Sequence, residues 1–324
     1  MSDPNPNANL PGDERWARDT LTKLAFAAVT EQRRARRWGI FFKFLFFAYL
    51  VGLLALAWPD DLGSATAAAK KHTALVRVDG LISSSSEASA KNVIEALRKA
   101  FKDGKTVGLV VEINSPGGSP VQAGEIYDEL QKLRQQHPKI PVYAVASDVC
   151  ASGGYYIAAA AQQIYVNKAS IVGSIGVRMD SFGFTDAIAK LGVERRAYTA
   201  GSNKDFLDPF KPENPAEVQH LQGMLDAIHQ QFIAAVKQGR GERLKDNPEV
   251  FSGLMWTGEQ SVGLGLADAL GSTRSVAEEV IGEKTIVDYT KHTRWVDRLL
   301  DGAEARLGAA LWQGLGLEGT AQWR

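Results

Sequence analysis

The sequence predicts an α/β domain of alternating strands and helices behind a single membrane-spanning helix. Three observations predict it. Gly39 to Trp58 is an apolar run of twenty residues in which only Lys43 is charged, and at about 1.5 Å per residue it matches a bilayer core of roughly 30 Å. From residue 73 to 200, apolar runs alternate with segments of helical periodicity, the pattern of strands joined by right-handed crossovers. Within that region, Val145 to Val177 reads as strand, tight turn and alanine-rich helix, with Ser152 at the junction.

Composition narrows the partners. The 324 residues are 45% hydrophobic and 23% charged, which suits one or two globular units. The 37 basic residues balance 37 acidic ones, so nothing attracts nucleic acid. The single cysteine, Cys150, cannot form an internal disulfide, and the fold must hold together by packing.

In order, residues 1–37 read as a cytoplasmic tail: Met1 to Leu10 has no assigned structure, and Asp13 to Arg37 is helix-friendly, ending in Arg33, Arg34, Arg36 and Arg37. These arginines precede the span 38–58, and Asp60 and Asp61 follow it. By the positive-inside rule the N-terminus is cytoplasmic and the remainder exported. The apolar run exceeds the ~7–15 residues of a signal peptide, which favours a retained anchor over a cleaved leader.

After a linker at 59–72, the globular domain is expected at 73–290. Thr73 to Gly80 alternates as a strand. Asn92 to Phe101 places Val93, Ala96, Leu97, Ala100 and Phe101 on one helical face. Val107 to Asn114 is a near-continuous apolar run, as in a strand covered on both sides. A helix at Val121–Gln135, strands at Pro141–Ala146 and Gln163–Val166, a short helix at Thr185–Leu191 and a strand at Glu194–Thr199 follow. Ala216 to Arg240 is a long amphipathic helix, and residues 253–271 form a loop and short helix. The C-terminal extension, 291–324, is amphipathic and suits a membrane surface, a partner chain or its own domain.

Ser152 lies where a buried strand ends and a helix begins, which fits either a nucleophile beside unpaired N–H groups or an ordinary helix cap. Cys150, between Val149 and Ala151, reads as a buried core residue. The loop Ser115-Pro-Gly-Gly-Ser-Pro120 suits a carbonyl oxyanion or a plain turn. It lacks GxxxxGK[ST], which speaks against a nucleotide. G-x-S-x-G is missing around Ser152, and none of His72, His137, His220, His229 and His292 stands in a glycine-rich loop. Lysine is the remaining base. An ordinary lysine needs roughly 4–5 kcal/mol of destabilisation of its cation to be neutral near pH 7, which desolvation can supply. Lys204, followed by Phe206, Leu207 and Phe210, is the candidate. A solvated loop lysine is the plainer reading. No metal or other cofactor is expected.

Four motifs appear in order: Asn114-Ser-Pro-Gly-Gly118, Ala151-Ser-Gly-Gly-Tyr-Tyr156, Gly173-Ser-Ile-Gly-Val177 and Gly201-Ser-Asn-Lys-Asp205. Together they resemble the short, single-domain form of the bacterial signal peptide peptidase A family, the S49 serine peptidases. The resemblance runs from about Thr73 to Ser272. It implies a crotonase-like α/β fold related to the Clp proteases, with a repeated ββα core. It implies Ser152 as nucleophile, Lys204 as general base and Ser174 as the serine that holds the lysine nitrogen. The oxyanion donors implied are N–H groups of the Gly117-Gly118 loop, Ser119 and Ser152 itself. It further implies octamers whose sites are shared between neighbouring subunits, hydrophobic peptides and signal-peptide remnants as substrates, and the bacterial inner membrane as location. Two rivals are a crotonase-fold acyl-CoA enzyme and a silent membrane scaffold ring.

Overall fold

A computed structural model describes residues 12–56 and 70–291. The chain divides into a unit up to Asp60 and a unit from Asp61. The first contains helix α1 (Gly12–Leu56), continuous from the basic cluster into the apolar run. Among the described residues no helix is long and apolar enough to cross a membrane. The expected span 38–58 runs past the end of α1, and its last residues lie outside the described ones, as do the first eleven residues, most of the linker and the C-terminal extension with His292.

The second unit is a mixed sheet with helices. Strand β1 (His72–Asp79) turns Ala74, Val76 and Val78 into the main core and Leu75 to the opposite face. Helix α2 (Ala90–Lys102) buries the stripe that its periodicity predicts, Val93, Ala96, Leu97, Ala100 and Phe101. Strand β2 (Thr106–Ser115) is buried on both faces. Helix α3 (Pro120–Gln136) starts where Ser119 caps the Gln122 N–H and Pro120 supplies a pre-set φ. Full burial of side chains such as Leu97, Leu109, Ile113, Ile126 and Leu130 contributes roughly 1.5–3 kcal/mol each.

Strand β3 (Val142–Ala151) leads to helix α4 (Gly153–Ala158), followed by β4 (Gln163–Val166) and β5 (Ile171–Gly173). Then come α5 (Thr185–Lys190), α6 (Pro215–Arg240), β6 (Met255–Thr257), α7 (Gly258–Gly263), β7 (Ala269–Leu270) and β8 (Ile286–Asp288). The sheet order is β6-β5-β3-β2-β1-β8, with β4 also beside β3 and β7 beside β4. All pairings are parallel except β5 with β6. Strand β3 forks: Tyr143–Ala146 pair with β4, and Val149–Ala151 pair with β5. The far end of β3 therefore runs beside Gly173, still within the core, which brings two of the predicted serine loops together.

Helix α6 is pinned at its C-terminal end. Arg240, 1% exposed, donates twice to Asp268 at 2.7 and 3.0 Å and once to the Gly265 carbonyl at 2.8 Å. Asp268 also accepts the Ile164 N–H at 2.6 Å. Burial raises its pKa, but the Arg240 hydrogen bonds, the Ile164 amide and the charges of Arg240 and Arg243 outweigh that and hold it below the usual range.

Two expectations need correction. Glu194–Thr199 is not a strand: the segment is irregular and exposed. Its charges pair locally, Arg195 with Asp208 and Arg196 with Glu194, and no described neighbour offers it a ladder. Residues 253–271 contain more than a loop and helix, because β6 and β7 form there on partners distant in sequence.

Candidate active site

The site is built from the ends of β2, β3 and β5. Strand β2 stops at Ser115, whose Oγ donates to the Gly80 carbonyl at 2.6 Å and accepts the Gly117 N–H at 3.1 Å. Gly117 and Gly118 turn back with φ of 100° and 146°, conformations open to glycine. The Gly117 carbonyl accepts from Ile82 N–H, and the Ser119 N–H donates to the Ile82 carbonyl, both at 2.8 Å. The Gly118 N–H between them has no partner among the described residues and points away from that pairing. A Cβ on Gly118 would lie 2.1 Å from the Ile82 carbonyl oxygen, so only glycine fits.

Strand β3 ends at Ala151 and is followed by Ser152, a non-glycine residue at φ 52° and ψ −121°. Such a conformation costs of order 1–3 kcal/mol and persists only where its surroundings enforce it. The enforcement is visible: the Ser152 N–H donates to the Gly173 carbonyl at 2.8 Å, and the Ser152 carbonyl accepts from Tyr156 to start α4. The hydroxyl makes no capping bond, so the helix-cap reading of Ser152 does not hold. Below it, Tyr155 is fully buried and its hydroxyl donates to the Leu266 carbonyl at 2.7 Å.

Ser174 follows Gly173 at the end of β5, also at φ 52°, and its N–H donates to Leu254 at 2.8 Å. Ser152, Ser174, Gly118 and Gly153 share a cleft of about 970 Å³ whose walls include Leu81, Val121, Tyr156, Val177, Ile228 and Phe232. No histidine lines it among the described residues. Cys150, two residues before Ser152, is fully buried, and that burial pushes its thiol up to about 12. It stays a protonated core residue.

The oxyanion donors come out differently from the expectation. The N–H groups of Gly117, Ser119 and Ser152 are all engaged, by Ser115 Oγ, the Ile82 carbonyl and the Gly173 carbonyl. Gly118 remains available. Beside it stands Gly153, whose N–H lies at the first position of α4 and has no partner among the described residues. A Cβ on Gly153 would be 3.4 Å from the Gly118 nitrogen, so the two unpartnered amides lie close together next to Ser152. Gly153 is not among the donors expected from the sequence, although a helix start leaves its first N–H groups without intrahelical partners, the signal that could have marked it.

Lys204 is not brought to Ser152 within one chain. It sits exposed in the turn Gly201–Leu207 and is absent from the cleft lining. Its acidic neighbours are engaged elsewhere, Asp205 by Lys211 and Asp208 by Arg195. The Phe210 N–H and Arg195 hold the Asp208 carboxyl below its usual range. Of the histidines on α6, His220 is exposed, but His229 is half-buried against the cleft loop rather than facing water.

Residues 134–286 match the model of Peptidase family S49. A protein of Synechocystis sp. named as a protease is 32% identical over 274 residues, which cover 83% of this chain and 94% of that one. A protein of Enterococcus faecium named as a signal peptide peptidase, SppA, is 29% identical over 258 residues, 76% of this chain and 74% of its own. A Na+/H+ antiporter, NhaA, of Brucella abortus is 48% identical over 188 residues, 58% of this chain. The chain spans only 25% of that antiporter's length. With the family model over the Ser152, Ser174 and Lys204 motifs, and a relative matched over nearly its whole length, the chain belongs to peptidase family S49, the serine peptidases that its motifs resemble.

Proposed function

We propose that the protein is a membrane-anchored serine endopeptidase in which Ser152 is the nucleophile and Lys204 of a neighbouring copy is the general base. The observation that carries this reading is the Ser152 turn: a strained backbone, an uncommitted hydroxyl and the free amides of Gly118 and Gly153 beside it. Ser152 Oγ attacks the peptide carbonyl while its proton passes to the Lys204 amine. The N–H groups of Gly118 and Gly153 hold the oxyanion. On collapse the C–N bond breaks, the lysine returns the proton to the departing amine, and an acyl-enzyme remains. Water, activated by the same lysine, then releases the acid and regenerates Ser152. Ser174 steadies the lysine nitrogen.

The exposure of Lys204 supports a site shared between copies. So do the exposed Met179, Phe182, Phe184, Leu191 and Val193 in the segment leading to it, an apolar surface of the kind that partner chains cover. In this reading the fold is of the crotonase and Clp type and eight copies form the ring. The apolar part of the cleft wall, Leu81, Val121, Ile228 and Phe232, suits hydrophobic peptides, including signal-peptide remnants, beside the polar Glu125, Asp128, Arg178 and Gln231. The span 38–58 holds the protein in the bacterial inner membrane, with the peptidase unit outside the cytoplasm.

The test is hydrolysis of a fluorogenic hydrophobic peptide. Ser152→Ala and Lys204→Ala should each lower kcat by about 10³-fold or more, and mixing the two under subunit exchange should restore part of it. Full activity in purified Lys204→Ala would sink the dyad. Protease added to spheroplasts should digest the unit beyond residue 60.

A further inference from the structure

We propose that His229 is a positioning residue that holds the Ser174 turn against helix α6. This rests on the reading above, in which Ser174 supports the base. The His229 ring Nε2 lies 3.0 Å from the Ile175 carbonyl oxygen. A carbonyl only accepts, so Nε2 carries a proton and donates it. Ile175 is fully buried and follows directly on Ser174. Its carbonyl has no other partner among the described residues. On its far side the turn is held by the Ser174 N–H bond to Leu254 at 2.8 Å, and a Cβ on Gly176 would sit 3.2 Å from Gly253 Cα.

Helix α6 is a fixed support for this bond. Phe232, Ala235 and Val236 anchor it in the core, and Met224, just over two turns before Phe232, is 49% exposed. His229 stands at that transition, beside Ile228 and Phe232 of the cleft wall. Removing its donor leaves the Ile175 carbonyl buried without a partner and lets Ser174 relax from φ 52°. Its hydroxyl then drifts within the cleft that it shares with Ser152.

The experiment compares the detergent-solubilised full chain as wild type, His229→Phe and His229→Gln, whose amide can restore the donor. Two readouts are taken: kcat and KM on a fluorogenic hydrophobic peptide, and hydrogen exchange of a fragment covering residues 173–177. His229→Phe should lower kcat roughly ten-fold with KM within about two-fold, as a displaced catalytic support does, and should speed exchange at 173–177. His229→Gln should return both towards wild type. If His229→Phe does not fold, His229→Asn, too short to reach the carbonyl, takes its place. Unchanged kcat and unchanged exchange in the donor-less variant would overturn the proposal. So would a glutamine variant as poor as phenylalanine, which would assign the effect to the imidazole as acid or base. A wild type that cleaves no peptide would refute the proposed function, and the exchange comparison would still decide the His229 contact.

Discussion

Gly117 lies directly against Ser152: a methyl group on Gly117 would sit 2.6 Å from the Ser152 Cβ and 2.9 Å from its Oγ. Gly117→Ala therefore displaces the hydroxyl and the adjoining Gly118 amide together. The expected outcome is a fall in kcat/KM of about 10²–10³-fold. The forced φ of 100° should cost of order 1–3 kcal/mol of stability. Peptide hydrolysis and denaturant unfolding measure the two effects, and near-normal turnover in the folded variant would contradict the geometry.

The strain at Ser152 separates two inactive variants. Ser152→Ala keeps a Cβ at φ 52°, whereas Ser152→Gly is free of it. Glycine adds entropy to the unfolded chain, but at a left-handed position the relief should win by about 1 kcal/mol. Urea unfolding of the two variants should rank glycine above alanine, and the reverse order would mean that the turn is relaxed.

The buried Arg240–Asp268 pair predicts an acid limb in stability. The Asp268 carboxyl titrates below its unfolded value of about 3.9, so its contribution is complete above that pH and is lost as pH falls through the lower folded value. Asp268→Asn leaves Arg240, 1% exposed, without a counter-charge and should cost about 3–5 kcal/mol at pH 7. Measured from pH 6 down to pH 2, the gap between wild type and variant should narrow. A constant gap would show that the charge of Asp268 is not what matters.

Much of the fold could be read from local pattern. Alternation in β1 and the helical stripe of α2 each announce a buried face, and packing fulfils both. Glu194–Thr199 failed because a strand needs a neighbour: Val193 and Tyr198 are 56% and 91% exposed, and residues that resemble a strand stay irregular without a ladder. The three-residue strands β5, β6 and β8 have the opposite character, since only their partners define them. At the site, glycines and serines marked the turns, but the fate of each amide depended on long-range register. Pairing of Ala151 with Gly173 commits the Ser152 N–H, a relation with no signature near Ser152. His229 was hidden for the same reason, since its acceptor lies 54 residues earlier.

The place of β1 in the sheet has a mechanical consequence. Tension along the chain through residue 71 enters an inner strand flanked by β2 and β8. Its ladder with β2 runs from His72 to Asp79, so a pull loads those bonds together in shear rather than peeling them one by one. The buried His72 ring adds a latch at the point of entry, donating from Nδ1 to the Lys70 carbonyl and meeting the Tyr289 hydroxyl at 2.9 Å. The force is thus taken up where the parallel strands begin, whereas the Ser152 turn lies where they end.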